Sequence, residues 1–272
     1  MIKNFSVFYV GNIDLEDVGL DGIPANDRRY KNKQLIQSME TAEEAAILMD
    51  ELGYYALWMA EHHFQREGYE CIPNVIMMGT HLAAKTERLK FGCGFNIVPM
   101  WHPLRLAEDY AMADVLTGGR MIFGVGRGYH SREVETFGSP VIDNDLNREL
   151  FEEQIEVILK AFNSESFSHH GKNYTIPASV PYRGYDLEEI TLVPRPLNLP
   201  VETWQPVVSG GSIDFTARNG FNGVVALTGE KLVDQAFHKF RDACAENGRG
   251  NVLGSNLALG IGFYIADNEK EA

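Results

Sequence analysis

The sequence has 272 residues, a formal net charge of −14 at pH 7 and a hydrophobic fraction of 44%, values that suit one large α/β domain or two small ones. The negative charge argues against a surface for nucleic acid or anionic membrane. No apolar run approaches the roughly 18 residues of a spanning helix, and the amino terminus is too polar for a signal peptide. The three cysteines share no close spacing, so we expect a reducing, cytoplasmic location, no disulfide framework and no zinc site.

The first half of the chain alternates strand and helix patterns. Strands are predicted at 5–10, 55–60, 89–98 and 121–125, and helices at 38–52, 73–85 and 103–117. In the helix at 38–52, alanines and Met49 recur at three- and four-residue intervals, which predicts one buried face. Thr41 and Glu44 suit a capping box at its start, and Gly53 suits its end.

The second half continues the alternation after one interruption. Helices are predicted at 144–162, 212–219 and 228–246, and strands at 206–208, 223–227 and 257–266. Residues 167–176 suit a small hairpin that turns at Gly171. Six of the eleven prolines lie between Pro177 and Pro206, so we interpret about 166–206 as an excursion from a single domain that spans 1–272.

Seven strand–helix units predict a parallel sheet with helical crossovers. Two architectures are compatible with them, an open doubly wound sheet and a (β/α)8 barrel. Polar and glycine-rich segments follow four of the predicted strands. Because a barrel gathers all carboxyl ends of its strands at one mouth, whereas an open sheet has a single crevice, the barrel is favoured.

The run Glu61-His62-His63-Phe64 follows the second predicted strand. Neighbouring side chains at a strand end point to opposite faces, so the two histidines are not expected to bind one metal together. One of them is expected to face the mouth, where it could handle a proton or hydrogen-bond a polar cofactor. The alternative is a pair of loop histidines with purely structural partners.

The run Gly92-Cys93-Gly94-Phe95-Asn96 places glycines inside the third predicted strand. This pattern indicates either a close backbone approach to a flat ligand or a tight bend in the barrel wall. Cys93 lies in an apolar run, and we interpret it as a small core residue.

The run Gly124-Val-Gly-Arg-Gly128 ends the fourth predicted strand and resembles the start of a dinucleotide fingerprint. The match fails because the third glycine would fall at Tyr129, and because the run does not follow the first strand. Exposed backbone N–H groups and the guanidinium of Arg127 still suit a phosphate. The alternative is an ordinary surface arginine.

The run Ser209-Gly210-Gly211-Ser212 lies between the fifth predicted strand and a helix. Hydroxyl and N–H groups at a helix amino terminus suit an anion. Plain N-capping by Ser212 is the alternative. If this run and Arg127 follow neighbouring strands of a barrel, both could hold one phosphate.

Three segments together resemble the bacterial luciferase-like flavin monooxygenases. They are the Glu-His-His-Phe run, His102-Pro-Leu-Arg-Leu-Ala-Glu-Asp109, and the stretch from Gly119 through Gly128 to Gly138. The resemblance extends from about Phe5 to Ala266. It implies a (β/α)8 barrel of the TIM type with reduced FMN at its mouth, usually supplied by a separate NAD(P)H:flavin reductase, and usually a homodimer.

The resemblance also assigns roles to individual residues. His62 corresponds to the active-site histidine near the reactive edge of the flavin, and Gly94-Phe95 falls where the family often has a non-proline cis peptide behind the ring. Arg127, Ser209 and Ser212 match phosphate-binding positions. The complete expected cofactor set is Glu61, Gly94, Phe95, Asn96, Arg127, Gly128, Ser209, Gly210, Gly211 and Ser212, with no metal ligand.

The sequence departs from the family in two places. The luciferases proper carry a reactive cysteine in the turn after the fourth strand, where this chain has Gly126. This argues against light emission and an aldehyde substrate. The family also continues beyond the seventh strand, whereas this chain stops at Ala272, so we expect the barrel here to lack its C-terminal βα unit.

The sequence therefore predicts an FMNH2-dependent monooxygenase, in which a peroxyflavin formed with O2 oxidises a small organic substrate. One alternative is hydride transfer with the deazaflavin F420 on the same barrel. The other is a non-catalytic flavin-binding protein.

Overall fold

A computed structural model describes residues 2–15, 22–24, 27–226, 229–262 and 266–268. Within the chain, residues group into two compact units, Met1–Glu202 and Thr203–Ala272. The single domain over 1–272 stays a prediction. Over the described residues, none of the helices combines the length and apolarity needed to cross a membrane.

The first unit contains a parallel sheet. Its strands are β1 (Ser6–Tyr9), β2 (Ala56–Met59), β3 (Lys90–Cys93), β4 (Asn96–Ile97) and β5 (Met121–Gly126). They are ordered β1-β2-β3-β5, and β4 also pairs with β5. The parallel pairing confirms the prediction, and it places the segments after β2, β3, β4 and β5 at one edge of the sheet.

The single strand predicted at 89–98 is divided into β3 and β4. β3 pairs with both β2 and β5, whereas β4 pairs with β5 among the described strands. Gly94 still donates its N–H to the carbonyl of Met59 at the end of β2 (2.7 Å), and Asn96 lies opposite Val125 of β5. The peptide bond between Gly94 and Phe95 is cis, as the resemblance implies.

The helices of the first unit are α1 (Asn32–Leu52), α2 (Val75–Ala83), α3 (Pro103–Leu116), α4 (Ser131–Val134) and α5 (Asn144–Asn163). The predicted capping box at Thr41 and Glu44 is wrong, because α1 begins nine residues before Thr41. The side chain of Gln34 instead accepts the N–H of Lys31 (3.1 Å) at the helix start. Gly53 does end α1, in the left-handed conformation.

The core of the first unit lies between the helices and the sheet. Tyr110 of α3, Phe123 of β5 and Phe162 of α5 are buried and pack with their rings 4.6–5.5 Å apart. Burying each such side chain contributes about 1.5–3 kcal/mol. This packing holds β5, and with it the segment that follows, in a fixed position.

Two short antiparallel hairpins follow α5. β6 (His169–His170) pairs with β7 (Thr175–Ile176), which confirms the hairpin predicted at 167–176, and β8 (Pro181–Tyr182) pairs with β9 (Tyr185–Asp186). Further along, the N–H of Leu197 donates to the buried Asp114 of α3 (2.8 Å).

The second unit has three parallel strands, β10 (Thr203–Pro206), β11 (Asn222–Val225) and β12 (Leu257–Leu259), with helices α6 (Gly210–Arg218) and α7 (Glu230–Glu246). Its core is formed by apolar side chains of these helices and strands, with Val207, Val225 and Phe240 almost fully buried.

Two boundaries in this unit differ from the prediction. The strand predicted at 206–208 lies at 203–206 instead, because Trp204, Gln205 and Pro206 form the pairs with β11. The helix predicted from 212 begins at Gly210, because Ser209 is its N-cap. The predicted segments at 227–228 and 263–265 lie outside the described residues.

Candidate functional site

His62 lies between two carboxylates just after β2. Its ring is buried, and its backbone N–H donates to the carbonyl of Ile72 (3.1 Å). Nδ1 lies 3.1 and 3.3 Å from the two carboxylate oxygens of Glu133, and Nε2 lies 3.3 Å from Oε1 of Glu70. An imidazole held at both nitrogens has one fixed orientation and can exchange a proton with either neighbour.

Glu133 is the more buried of the two carboxylates beside His62. Burial alone would raise its pKa, but hydrogen bonds from His62 and Gln65 outweigh that effect, so the pKa of the Glu133 carboxyl is lower than usual. The amide of Gln65 donates to Oε1 of Glu133 at 2.8 Å. The carboxylate is therefore held as an anion that faces the His62 ring.

His63 points elsewhere, as the alternation of side chains predicts. Its Nε2 lies 3.2 Å from Oε1 of Glu61, and its ring contacts Phe137 edge-on, with the centroids 4.8 Å apart. The backbone of His63 also hydrogen-bonds Glu133, but the side chains of the two histidines have different partners among these contacts. His62 and His63 are therefore a natural pair for comparison by substitution of their side chains.

Glu61 is almost fully buried, and its oxygens bind protein groups. Oε2 accepts the backbone N–H of Ile97 in β4 (2.6 Å), and Oε1 accepts the indole N–H of Trp101 (2.8 Å). Glu61 therefore fixes the position of β4 and the segment after it. A role in cofactor binding would be indirect, through the position of β4.

Asn96 carries an unused acceptor in the segment that Glu61 positions. Its side chain is fully buried, and Nδ2 donates to the carbonyl of Gly124 (2.9 Å). Its Oδ1 has no hydrogen-bond partner in the part of the chain that the structure describes. A buried acceptor without a partner costs about 1–3 kcal/mol, so a donor from a ligand would be favourable at this position.

Cys93 is a core residue, as predicted. It is fully buried at the end of β3, and burial raises its pKa to about 12. Its thiol is therefore protonated at neutral pH and a poor nucleophile.

Arg127 follows β5 and lies against the first turn of α5. Its Nη1 donates to Oδ1 of Asn147 (3.2 Å) and to the carbonyl of Asn144 (3.4 Å), and the Asn147 amide donates back to the carbonyl of Arg127 (3.1 Å). Partial burial lowers the pKa of Arg127, and the positive charge of the nearby Arg148 lowers it further. A guanidinium nevertheless stays charged at neutral pH. The remaining N–H groups form no hydrogen bond to described residues.

Gly128 is required by the backbone at the position after Arg127. Its φ is +79°, and a Cβ there would lie 2.7 Å from side-chain carbons of both Ile97 and Val134. Since only glycine fits, the turn that places Arg127 depends on this residue.

The serines of the second unit form the capping box of α6. Ser209 is the N-cap, and its Oγ accepts the N–H of Ser212 (3.3 Å), while Oγ of Ser212 accepts the N–H of Ser209 (3.0 Å). Ser212 is therefore not the N-cap. The first-turn N–H groups of Gly210 and Gly211, both exposed, have no intrahelical partner, as at any helix start.

Sequence reasoning missed the partners of His62, namely Glu70, Tyr129, His130 and Glu133, and it missed Gln65, which holds Glu133. Tyr129 and His130 directly follow the glycine turn and contact the His62 ring edge-on, with centroids 5.8 and 5.1 Å away. These two residues could have been predicted, because functional residues are expected directly after the carboxyl ends of the strands. The two glutamates lie in loop and short-helix segments, where a charged residue is ordinarily solvated, so no local pattern indicates them.

The chain belongs to the luciferase-like monooxygenase family, whose model matches residues 23–272. Similar proteins include the oxygenase component of flavin-dependent trigonelline monooxygenase from Acinetobacter baylyi, which is 28% identical over 88% of this chain and 62% of that protein. Limonene 1,2-monooxygenase from Rhodococcus erythropolis is 32% identical over 89% of this chain and 58% of that protein. The chain thus spans less than two thirds of the length of these relatives.

Solved structures share the fold. Monooxygenase RslO1 from Streptomyces bottropensis superimposes with a TM-score of 0.76 at 22% identity, over 99% of this chain and 74% of that one. The oxygenating constituent of 3,6-diketocamphane monooxygenase from Pseudomonas putida, solved with FMN, gives 0.73 at 21% identity, over 90% and 67%. An F420-dependent secondary alcohol dehydrogenase gives 0.63 at 15% identity, over 81% and 63%. These similarities confirm the predicted α/β fold of the luciferase-like, TIM-barrel type.

Proposed function

We propose that the chain is part of a flavin-dependent monooxygenase that uses FMNH2 and O2 to oxidise a small organic substrate. The observation that carries the proposal is the buried His62, held by Glu133 on Nδ1 and facing Glu70 on Nε2. It lies after β2, in a chain whose relatives are named monooxygenases. The flavin, when bound, would supply the redox chemistry, and the protein would bind it and control protons and water.

The residues of the first unit fit a flavin. Oδ1 of Asn96 is a buried acceptor that lacks a donor, and a flavin ring offers N–H donors. The ring of Tyr129 is 69% exposed beside His62 and could pack against a flat ligand. Arg127 keeps N–H groups for a phosphate, and we propose it as a phosphate-binding residue. In the second unit, we propose the Ser209–Ser212 turn as a further phosphate-binding segment.

His62 would handle the proton of the reaction at Nε2. Glu133 accepts from Nδ1 and so fixes the tautomer and the direction of the ring, which leaves Nε2 as the atom that gives or takes a proton. Glu61, through its hydrogen bonds with Ile97 and Trp101, would keep the β4 segment in place.

We also propose a separate NAD(P)H:flavin reductase as the source of FMNH2. A homodimer and a cytoplasmic location stay predictions.

A second candidate function is hydride transfer with F420, because an F420-dependent dehydrogenase shares the fold. An anaerobic titration with FMN, FMNH2 and F420, followed by admission of air, separates the two. The proposal predicts preferential binding of FMNH2 and its reaction with O2 on the protein. Preferential binding of F420 without an oxygen reaction would support the second candidate.

A further inference from the structure

Three side chains of types that can bind a metal ion, His62, Glu70 and His130, converge at Nε2 of His62. Nε2 of His62 lies 3.3 Å from Oε1 of Glu70, and Nε2 of His130 lies 3.7 Å from Oε2 of the same carboxylate. One ligand atom from each residue lies within 4.8 Å of the other two. His130 follows β5 and the other two residues follow β2, so two separate segments of the first unit build the cluster.

Glu133 makes this cluster more than a chance group of polar side chains. It binds Nδ1 of His62 from the opposite side and is itself held by Gln65. Histidine ligands of metals almost always donate their second N–H to a carboxylate or carbonyl in this way, which directs the lone pair of the other nitrogen at the ion. Here that lone pair points toward Glu70.

His62 and Glu70 present a nitrogen and a carboxylate oxygen to each other at 3.3 Å. Both atoms are ligand types that bind metal cations. His130, whose Nε2 faces the other oxygen of Glu70, supplies a third donor for a cation.

The spacing suits a small divalent transition ion. Zinc binds imidazole nitrogen at about 2.0–2.1 Å and carboxylate oxygen at about 2.0–2.2 Å, so tetrahedral ligand atoms lie roughly 3.3–3.5 Å apart. The contacts of 3.3 and 3.7 Å reach different oxygens of Glu70, and the three ligand atoms lie within 4.8 Å of one another, so the side chains would move closer together to bind an ion. Two imidazoles and one carboxylate select Zn²⁺, Co²⁺ or Ni²⁺ over Mg²⁺ and Ca²⁺, which prefer all-oxygen sites.

We propose that His62, Glu70 and His130 form a binding site for a divalent transition-metal ion such as Zn²⁺, with Glu133 as the residue that orients His62. This proposal departs from the expectation of no metal ligand, and the site uses no cysteine. One consequence rests on the proposed function: the ion would occupy Nε2 of His62 and therefore inhibit oxygenation.

The test is calorimetric titration of the untagged, EDTA-treated chain with Zn²⁺, together with the visible spectrum of the Co²⁺-loaded chain. One equivalent of metal and the d–d bands of a four-coordinate N,O site are expected. Glu70→Gln and His130→Gln should weaken binding by more than about 100-fold, and Glu133→Gln by about 10–100-fold. All three should keep the wild-type circular dichroism spectrum.

The matched controls are Glu43→Gln and His81→Gln, because that exposed pair has the same chemistry at 2.9 Å without a third ligand or a buried carboxylate. They should bind Zn²⁺ as the wild type does. Equal affinity in all five variants, or no binding by the wild-type chain, would overturn the metal site. Neither readout involves flavin, so failure here leaves the oxygenase proposal standing, and failure of the oxygenase leaves the metal site standing.

Discussion

At the scale of single residues, two side chains carry the proposed chemistry, and each has a natural comparison in the chain. His62 has its neighbour His63, which also follows β2 and whose side chain contacts other groups. Arg127 has Arg105, an exposed arginine on α3 that pairs with Glu108 and Asp109. Differences within each pair therefore report on the site rather than on the loss of a charge or ring in general.

Replacing Arg127 by alanine should weaken FMN binding. Loss of charged hydrogen bonds to a phosphate costs about 1.5–3 kcal/mol, which corresponds to about a 10- to 150-fold rise in Kd. Fluorescence titration with FMN measures it, and Arg105→Ala should leave Kd unchanged. An unchanged Kd for Arg127→Ala would remove Arg127 from the site.

Residue identities alone predicted much of this scale. The buried, inert Cys93 follows from its apolar run. Strand ends and glycines indicated one of the two histidines and Arg127 as candidates, and the choice of His62 came from the family resemblance. The carboxylates around His62 could not be predicted, because a glutamate at an exposed loop and one buried against a ring look alike in sequence. Glu133 is fixed by tertiary packing, with a buried position that no local periodicity signals.

At the scale of elements, the site depends on how β4 and the turn after β5 are held. Glu61 is the buried acceptor for both Ile97 and Trp101.

The predicted elements agree well with the observed ones where strands and helices alternate. They fail at boundaries, such as the division of strand 89–98, because the point at which pairing with β2 ends while pairing with β5 continues is set by tertiary structure.

Replacing Glu61 by glutamine should destabilise the chain by about 1–3 kcal/mol. A glutamine side chain has one carbonyl oxygen, so the N–H of Ile97 or that of Trp101 would face an NH2 group and stay unpaired. Urea unfolding followed by circular dichroism measures the loss. The exposed Glu43→Gln serves as the control, and an equal effect of both substitutions would contradict the role of Glu61.

Replacing Gly128 by alanine should cost more than the same change at Gly53. Both residues have positive φ, which disfavours alanine by about 1–2 kcal/mol. Only at Gly128 does the new Cβ clash, 2.7 Å from Ile97 and Val134, and overpacking adds about 1–3 kcal/mol. If thermal unfolding shows equal losses, the close packing of the turn is not as described.

At the scale of the whole molecule, acidification should destabilise the folded chain. Asp50, Glu135 and Glu153 have folded-state pKa values below their ordinary values of 3.8, 4.5 and 4.5. At Asp50 and Glu153, burial alone would raise the pKa, but hydrogen bonds to the carboxylate outweigh it. At Glu135, hydrogen bonds from backbone N–H groups lower the pKa. Their stabilisation is complete above the unfolded pKa and lost as pH falls through the folded one. Asp114, whose pKa burial raises, acts in the opposite direction.

Urea unfolding at pH 7 and at pH 4 checks the sign of this effect. The free energy of unfolding should be lower at pH 4, since six described carboxyls favour ionisation in the folded state and Asp114 opposes it. The six are Glu43, Asp50, Glu67, Glu133, Glu135 and Glu153. Equal or greater stability at pH 4 would mean that those hydrogen bonds do not form in solution.

In the proposed function, this chain holds a reduced flavin whose reaction with O2 is controlled at His62. The most direct test is stopped-flow mixing of the FMNH2-loaded chain with oxygenated buffer, recording the appearance of oxidised FMN. We expect oxidised FMN to appear later than with free FMNH2, and this time course to change in His62→Ala but not in His63→Ala. A time course identical to that of free FMNH2, or an equal change in both variants, would contradict the claim.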